Sequence, residues 1–285
     1  MKLKFTKMQG CGNDYIYLDC RRTGLPPQVP VWSTVLSRRR FSVGADGIIC
    51  ICPPLLADGD ASMRIFNADG SEAGMCGNGV RCVAQYLYTH GAARDELRID
   101  TPSAGRKTLR RVGDGLWQAD MGRFSAMADV LPAVGLGAGP LVNVPLTVNG
   151  KNWNVTCISM GNPHCVIEWP DADLPTGPAL AALGPSFENH PAFPERTNTE
   201  FVYRKSATEL VMRVWERGSG ETFACGTGAC ATVAAMVLRG RCPRQTPVAV
   251  HLLGGTLTIT VCEDDAVKMT GPAVEAFTGE VEVQE

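Results

Sequence analysis

Gly218-Ser219-Gly220-Glu221-Thr222-Phe223-Ala224-Cys225-Gly226-Thr227-Gly228-Ala229-Cys230-Ala231 sets a thiol directly before a glycine-rich entry into an apolar run. Cys76-Gly77-Asn78-Gly79, ahead of Val80, Cys82, Val83 and Ala84, does the same earlier in the chain. The two cysteines are 149 residues apart, and three other pairs keep that offset: Asn67 with Glu216, Gly12-Asn13 with Gly161-Asn162, and Gly91 with Gly240. Four features in one register predict two tandem copies of one module, each with one equivalent cysteine. We expect residues 1–122 with 272–285 to form the N-terminal module carrying Cys76, and 123–271 the C-terminal module carrying Cys225. The break falls between Gly122 and Gly139, where Gly, Ala and Leu dominate and periodicity vanishes.

Working outward, residues 77–90 read as a helix whose apolar positions cover most of its circumference, and the run after Cys225 is more apolar still. Such helices are buried. Short strands flank each of them: 3–7, 15–18, 48–52, 62–66, 97–100, 106–111 and 116–121 in the first half, and 153–159, 165–169, 199–203, 210–215, 248–253, 256–261 and 267–270 in the second. A short helix is expected from Pro30 to the Arg38-Arg39-Arg40 cluster, read as a basic helix C-terminus. Residues 170–194 read as an insertion of loop and short helix. Helices do not alternate with strands, so a doubly wound sheet is excluded. The expected fold is α+β: two pseudo-symmetric domains, each a mixed or antiparallel sheet wrapped around a central buried helix.

The 285 residues, 45% hydrophobic and 20% charged, are those of a globular chain of two ordinary domains. A net charge of −2 gives no reason to expect nucleic acid or a membrane as partner. Met1-Lys2-Leu3-Lys4-Phe5 is followed by no apolar core of a signal peptide, so a cytoplasmic setting is expected. In that setting the twelve cysteines are reduced, and most are small core residues. None has C-x-x-C spacing, and Cys50 and Cys52 are expected on opposite faces of a strand, so no metal site is expected.

A cysteine at a helix start sees the positive end of the macrodipole and unpaired backbone N–H groups, which should lower its thiol pKa. Gly77, Gly79, Gly226 and Gly228 let backbone approach an anion, so the two helix starts suit a carboxylate. One such motif could be no more than packing and turns; two equivalent copies point to function. Modules related by a pseudo-two-fold axis would present two thiols to opposite sides of one substrate atom. That arrangement fits inversion at a carbon bearing an acidic hydrogen, with one thiolate removing the proton and the other thiol supplying one.

The segments 67–72, 75–81, Gly161-Asn162-Pro163-His164, 196–201, 215–218 and 224–228 resemble the diaminopimelate epimerase family, in order and across nearly the whole chain. The resemblance implies a cofactor-independent isomerase that interconverts LL- and meso-diaminopimelate in lysine and peptidoglycan synthesis. It implies Cys76 and Cys225 as the acid/base pair, with His164 and Glu216 helping to place the proton. Gly77 and Asn78, with Gly226 and Thr227, would hold the carboxylate at the reacting centre. Arg217, helped by Asn67, Asn162 and Asn198, would hold the distal carboxylate, Glu216 the ammonium, and Asn13 would complete the pocket. Some members carry Gln where this chain has Gly47, so that contact is lost. Phe277 stands where some place a Tyr at a dimer contact, which implies a homodimer.

Two other functions fit parts of the pattern. A sister racemase would act on proline, hydroxyproline or histidine, but Arg217 and the three asparagines suit a substrate with a second amino-acid head. A thiol redox or metal-binding protein would use Cys76 and Cys225 instead; activity that needs reductant would favour the enzyme, and stoichiometric bound zinc the alternative.

Overall fold

The computed structural model describes residues 1–284; Glu285, the last residue of the expected N-terminal module, lies outside the described residues. The chain forms two compact units, Met1–Ala119 together with the chain from Thr270 onward, and Asp120–Met269. In chain order the first unit contributes β1 (Lys2–Gly10), β2 (Asn13–Asp19), α1 (Val29–Leu36), β3 (Gly47–Cys52), β4 (Ala61–Asn67), β5 (Glu72–Ala73) and α2 (Gly77–Leu87). A π-type turn (Tyr88–Ala92), β6 (Glu96–Thr101) and β7 (Gly105–Gly113) follow, and β8 (Leu116–Arg123) runs across the boundary at Ala119. The second unit holds β9 (Val144–Val148), β10 (Lys151–Ser159), β11 (Pro163–Glu168), α3 (Pro178–Glu188), β12 (Asn198–Ser206), β13 (Glu209–Glu216) and β14 (Gly220–Glu221). It continues with α4 (Gly226–Leu238), β15 (Val248–Leu252), β16 (Gly255–Val261) and β17 (Ala266–Pro272), after which β18 (Val274–Glu282) returns to the first unit.

The pairing pattern is the same in both. In the first unit β18, β1, β2, β3, β4, β6 and β7 lie side by side, joined antiparallel, antiparallel, parallel, antiparallel, parallel, antiparallel. In the second, β9, β10, β11, β12, β13, β15 and β16 follow the identical series. The short β5 and β14 extend β4 and β13 at matching places. Register makes the correspondence exact to the residue: Tyr15 pairs with Gly47 and Tyr17 with Ile49, as His164 pairs with Asn198 and Val166 with Glu200. The architecture is α+β, with a mixed sheet in each unit.

Each sheet packs on one buried helix, α2 against β1, β2, β6 and β18, and α4 against β10, β11, β12 and β16. Val80, Cys82, Val83, Ala84 and Leu87 of α2, and Ala229 to Met236 of α4, are buried. Each fully buried Val, Leu or Met stabilises the packing by roughly 1.5–3 kcal/mol, which outweighs the weak helix propensity of the glycine-rich first turns. Arg81 is also fully buried. It donates to Gly77 O (3.1 Å), Asn78 Oδ1 (2.9 Å) and Pro272 O (3.3 Å), so its charge is spent tying the α2 start to the chain that leads into β18.

Three expectations need correction. Residues two apart on a strand share a face, so Cys50 and Cys52 lie in one core cluster with Cys20 rather than on opposite sides of β3. β18 was not expected as a strand, because its outward positions are mostly polar; it is held by pairing to β1 rather than by an apolar face. The Arg38-Arg39-Arg40 cluster does not belong to α1, which ends at Leu36.

Candidate active site

Cys76 and Cys225 do the same local job. Each is the extended N-cap of its helix, and its Sγ accepts the N–H of the third helical residue, Gly79 (3.3 Å) and Gly228 (3.4 Å). The motif is the thiol analogue of a Ser or Asp cap. Beyond the cap the two surroundings differ.

In the first unit the Cys76 thiol donates to Asn13 Oδ1 (3.1 Å). Asn13 opens β2 just past the β1–β2 turn, whose residues Cys11 and Gly12 have φ of 54° and 79°, the doubly positive φ of a type I′ turn. Asn13 Nδ2 donates to Asp46 Oδ2 (2.7 Å), and so does the Asp14 backbone N–H (3.0 Å). Arg39 pairs with both Asp14 and Asp46. Burial pushes the Asp14 carboxyl up, but hydrogen bonds from Arg39 and Lys7 outweigh it and leave the group below the ordinary aspartate range. Arg39 is therefore the clamp that orients Asn13, and Asp46 is the residue through which it acts. From the sequence, Arg39 reads as part of a basic helix end and Asp46 is given no role, because a charge shared between Asp14 and Asp46 leaves no spacing signal.

The remaining first-unit candidates are placed as follows. The Asn67 side chain donates to Ser71 Oγ (3.0 Å) and so is spent within its own loop. Asn78 turns its side chain back to Arg81, which leaves the backbone at Gly77 and Asn78 as the part that can serve a ligand. A Cβ on Gly47 would stand 2.2 Å from Phe66 O, so this backbone has no room there for a longer residue.

In the second unit the polar candidates form one chain. The Cys225 thiol lies 3.5 Å from Thr227 Oγ1, Asn162 Nδ2 donates to the same oxygen (3.4 Å), and Asn162 Oδ1 meets His164 Nε2 (3.1 Å). His164 Nδ1 meets Glu200 Oε1 at 2.6 Å, with both side chains fully buried. Asn198 is occupied at both ends: Nδ2 donates to Pro163 O (2.8 Å), and Oδ1 accepts the Arg217 backbone N–H (3.0 Å). It fixes the turn that carries Arg217, whose guanidinium donates to Glu195 O (3.0 Å). Thr222 donates its hydroxyl to Glu216.

The expected lowering of the thiol pKa does not hold at Cys225. Burial pushes this thiol well above the ordinary cysteine range, and the negative charges of Glu216 and Glu200 push it further. Thr227 and the Gly228 N–H oppose them without prevailing, because one N–H at a helix start is weaker than desolvation next to two carboxylates. Burial also raises the Glu216 carboxyl, against hydrogen bonds from Thr222 and from Cys225 itself. Burial and the two neighbouring carboxylates thus favour the protonated thiol at Cys225, with the Glu216 carboxyl as its neighbour.

The family model for diaminopimelate epimerase matches residues 5–127 and 156–275. The chain belongs to the diaminopimelate epimerase family. The epimerase is 47% identical to diaminopimelate epimerase 1 of a Nostoc species, over 99% of this chain and all of that protein. It is 45% identical to the diaminopimelate epimerase of Moorella thermoacetica, over 98% of this chain and 99% of that one. Among solved structures, its fold matches a phenazine biosynthesis protein from Bacillus anthracis (TM-score 0.70, 15% identical, 99% of this chain and 100% of that one). It also matches a hydroxyproline epimerase from Agrobacterium vitis (TM-score 0.67, 14% identical, 98% and 92% covered). At those identities the likeness is one of fold. The epimerase is an isomerase by family, and the relatives that share nearly half its residues separate it from the proline and hydroxyproline enzymes.

Proposed function

We propose that the epimerase converts LL- to meso-diaminopimelate with Cys76 and Cys225 as its two acid/base groups. One sulfur, as thiolate, takes the α-hydrogen as a proton and leaves its electron pair on carbon. The resulting planar carbanion is delocalised into the adjacent carboxylate. The other sulfur, as thiol, gives its proton to the opposite face. The observation that carries this reading is the repeated thiol cap at the start of a buried, glycine-led helix, in a chain of this family. Backbone N–H groups at Gly77 and Asn78 and at Gly226 and Thr227 supply preorganised stabilisation for the carboxylate as charge builds on it.

Glu216 receives the S–H of Cys225 and serves the substrate ammonium, and His164 acts behind Asn162. Arg217 suits the distal carboxylate, because its planar guanidinium offers parallel N–H donors. Asn13 positions Cys76, Asn162 borders Cys225, and Asn67 and Asn198 shape the loops around the ligand. Activity should need no added cofactor and should be lost on oxidation of the thiols. The setting we infer is the cytoplasm, which twelve cysteines favour; among the described residues no helix is long and apolar enough to cross a membrane. We also infer a homodimer, supported by Val274 and Phe277 exposed on β18; light scattering that shows monomer alone ends that inference.

The test is turnover of LL-diaminopimelate in deuterium oxide. Deuterium should enter at the inverted α-carbon, and no exchange at that carbon would refute the proton-transfer mechanism. Turnover of proline or hydroxyproline without diaminopimelate would favour the sister racemase instead.

A further inference from the structure

Glu200 is a buried charge that the two-thiol chemistry leaves without a task. Removing a carboxylate from water is costly unless it is paired and hydrogen-bonded. Among the described residues its ion pair is with His164, and its second oxygen, Oε2, has no hydrogen-bond partner. The fold does not require it. In the register shared by the two units its counterpart is Ile49, and the counterpart of His164 is Tyr15. Both residues press on the first turn of the central helix at the same point. A Cβ on Gly79 would stand 2.6 Å from Ile49 Cδ1, and a Cβ on Gly228 would stand 2.7 Å from Glu200 Oε1. One copy of the module therefore folds with a plain apolar side chain where the other spends a buried carboxylate.

The local geometry indicates what the carboxylate does. His164 meets an oxygen at each ring nitrogen, Glu200 Oε1 at Nδ1 and Asn162 Oδ1 at Nε2. With Glu200 as a carboxylate both oxygens are acceptors, and only the imidazolium offers an N–H to each. We propose that Glu200 is a positioning residue: it holds His164 as a doubly protonated imidazolium, and through it fixes Asn162 and Thr227 beside Cys225. The pair is net neutral, which makes its burial tolerable. Its positive half also acts on Glu216: burial raises that carboxyl, and the His164 charge is among the groups that oppose the rise. The acceptor of the Cys225 S–H is thereby kept closer to its ionised form.

The inference rests on the two-thiol reading for its effect on rate, but its first test does not. Four histidines give a simple nitrogen-15 NMR spectrum, with His164 assigned by its loss in His164→Gln. In the intact epimerase near neutral pH both His164 nitrogens should carry protons. In Glu200→Gln, which keeps size and an acceptor but removes the charge, one nitrogen should lose its proton, and Glu200→Asp should restore it. In the same variants kcat should fall about 100-fold in Glu200→Gln with little change in KM, as for a misplaced catalytic group, and recover in part in Glu200→Asp. If Glu200→Gln does not fold, Glu200→Ile takes its place, with Ile49 as the precedent, and the same two readouts apply. A singly protonated His164 in the unmodified enzyme, or a variant with unchanged His164 signals and unchanged kcat, overturns the proposal. Cys225→Ser measured alongside separates the two ideas: full activity there removes the two-thiol reading while the His164 spectrum still reports on the pair.

Discussion

The two units share strand order, register and a thiol that caps a buried helix, yet they place those thiols in different chemical settings. Cys76, half-buried, donates to the neutral amide of Asn13, which the half-buried Asp14 and Asp46 and the exposed Arg39 hold from behind. Cys225 is buried beside Glu216 and Glu200, with His164 close by. Position by position, Asn67 stands for Glu216, Gly47 for Asn198, Tyr15 for His164 and Ile49 for Glu200. The backbone repeat delivers two sulfurs at equivalent points, and the substituted side chains decide how each sulfur holds its proton. An enzyme that inverts one stereocentre acts on two diastereomeric faces, so its two bases have no reason to be electrostatically alike.

The largest effect expected on this comparison comes from removing either sulfur. Cys76→Ala and Cys225→Ala should each lower epimerisation by about 1,000-fold or more, in line with the usual worth of a positioned acid or base. A near-normal rate in either variant would show that the two halves are not partners in one reaction.

Next comes the charge that distinguishes them. Cys225 is held as a thiol by burial and then by Glu216 and Glu200, so its alkylation by iodoacetamide should be slow at neutral pH. It should rise only when pH exceeds the ordinary cysteine range. Glu216→Gln removes one of the negative charges that raise this thiol. The alkylation profile of Cys225, followed by mass spectrometry, should therefore move to lower pH, while kcat falls about 100-fold through loss of the carboxylate charge beside the thiol. A profile that stays in place would mean that burial alone sets the Cys225 thiol.

The smallest effect is on stability and turns on what each helix start touches. Gly228→Ala drives a Cβ toward the buried Glu200 carboxylate, which is fixed by His164, and should cost about 1–3 kcal/mol in urea unfolding. Gly79→Ala meets the flexible end of Ile49 most closely and, as Gly228→Ala does at Cys225, the capping cysteine beyond it; the gain from replacing a helical glycine offsets part of that clash. Its cost should be under about 1 kcal/mol. Equal losses would mean that the two helix starts are packed alike after all.

Much of the fold is legible in the sequence because the repeat is a matter of local pattern. A cysteine, two glycines and an apolar run specify an N-capped buried helix wherever they occur, and a constant offset of 149 residues reveals the second copy. β18 escapes that reading, because a mostly polar strand is defined by its neighbour β1 and not by its own periodicity. Cys76, Cys225 and their glycines are recognisable for the same local reason. Glu200 and Asp46 are not, since their roles depend on residues more than thirty positions away, His164 and Asn13.

What the sequence by itself determined is the module, its duplication and the placement of one sulfur at the head of each central helix, all consequences of short-range stereochemistry. Only the tertiary structure decided the proton affinity of Cys225, the clamp on Asn13 and the buried ion pair behind His164. Those depend on desolvation and on charges brought close by folding, and neither quantity is written in the spacing of residues along a chain.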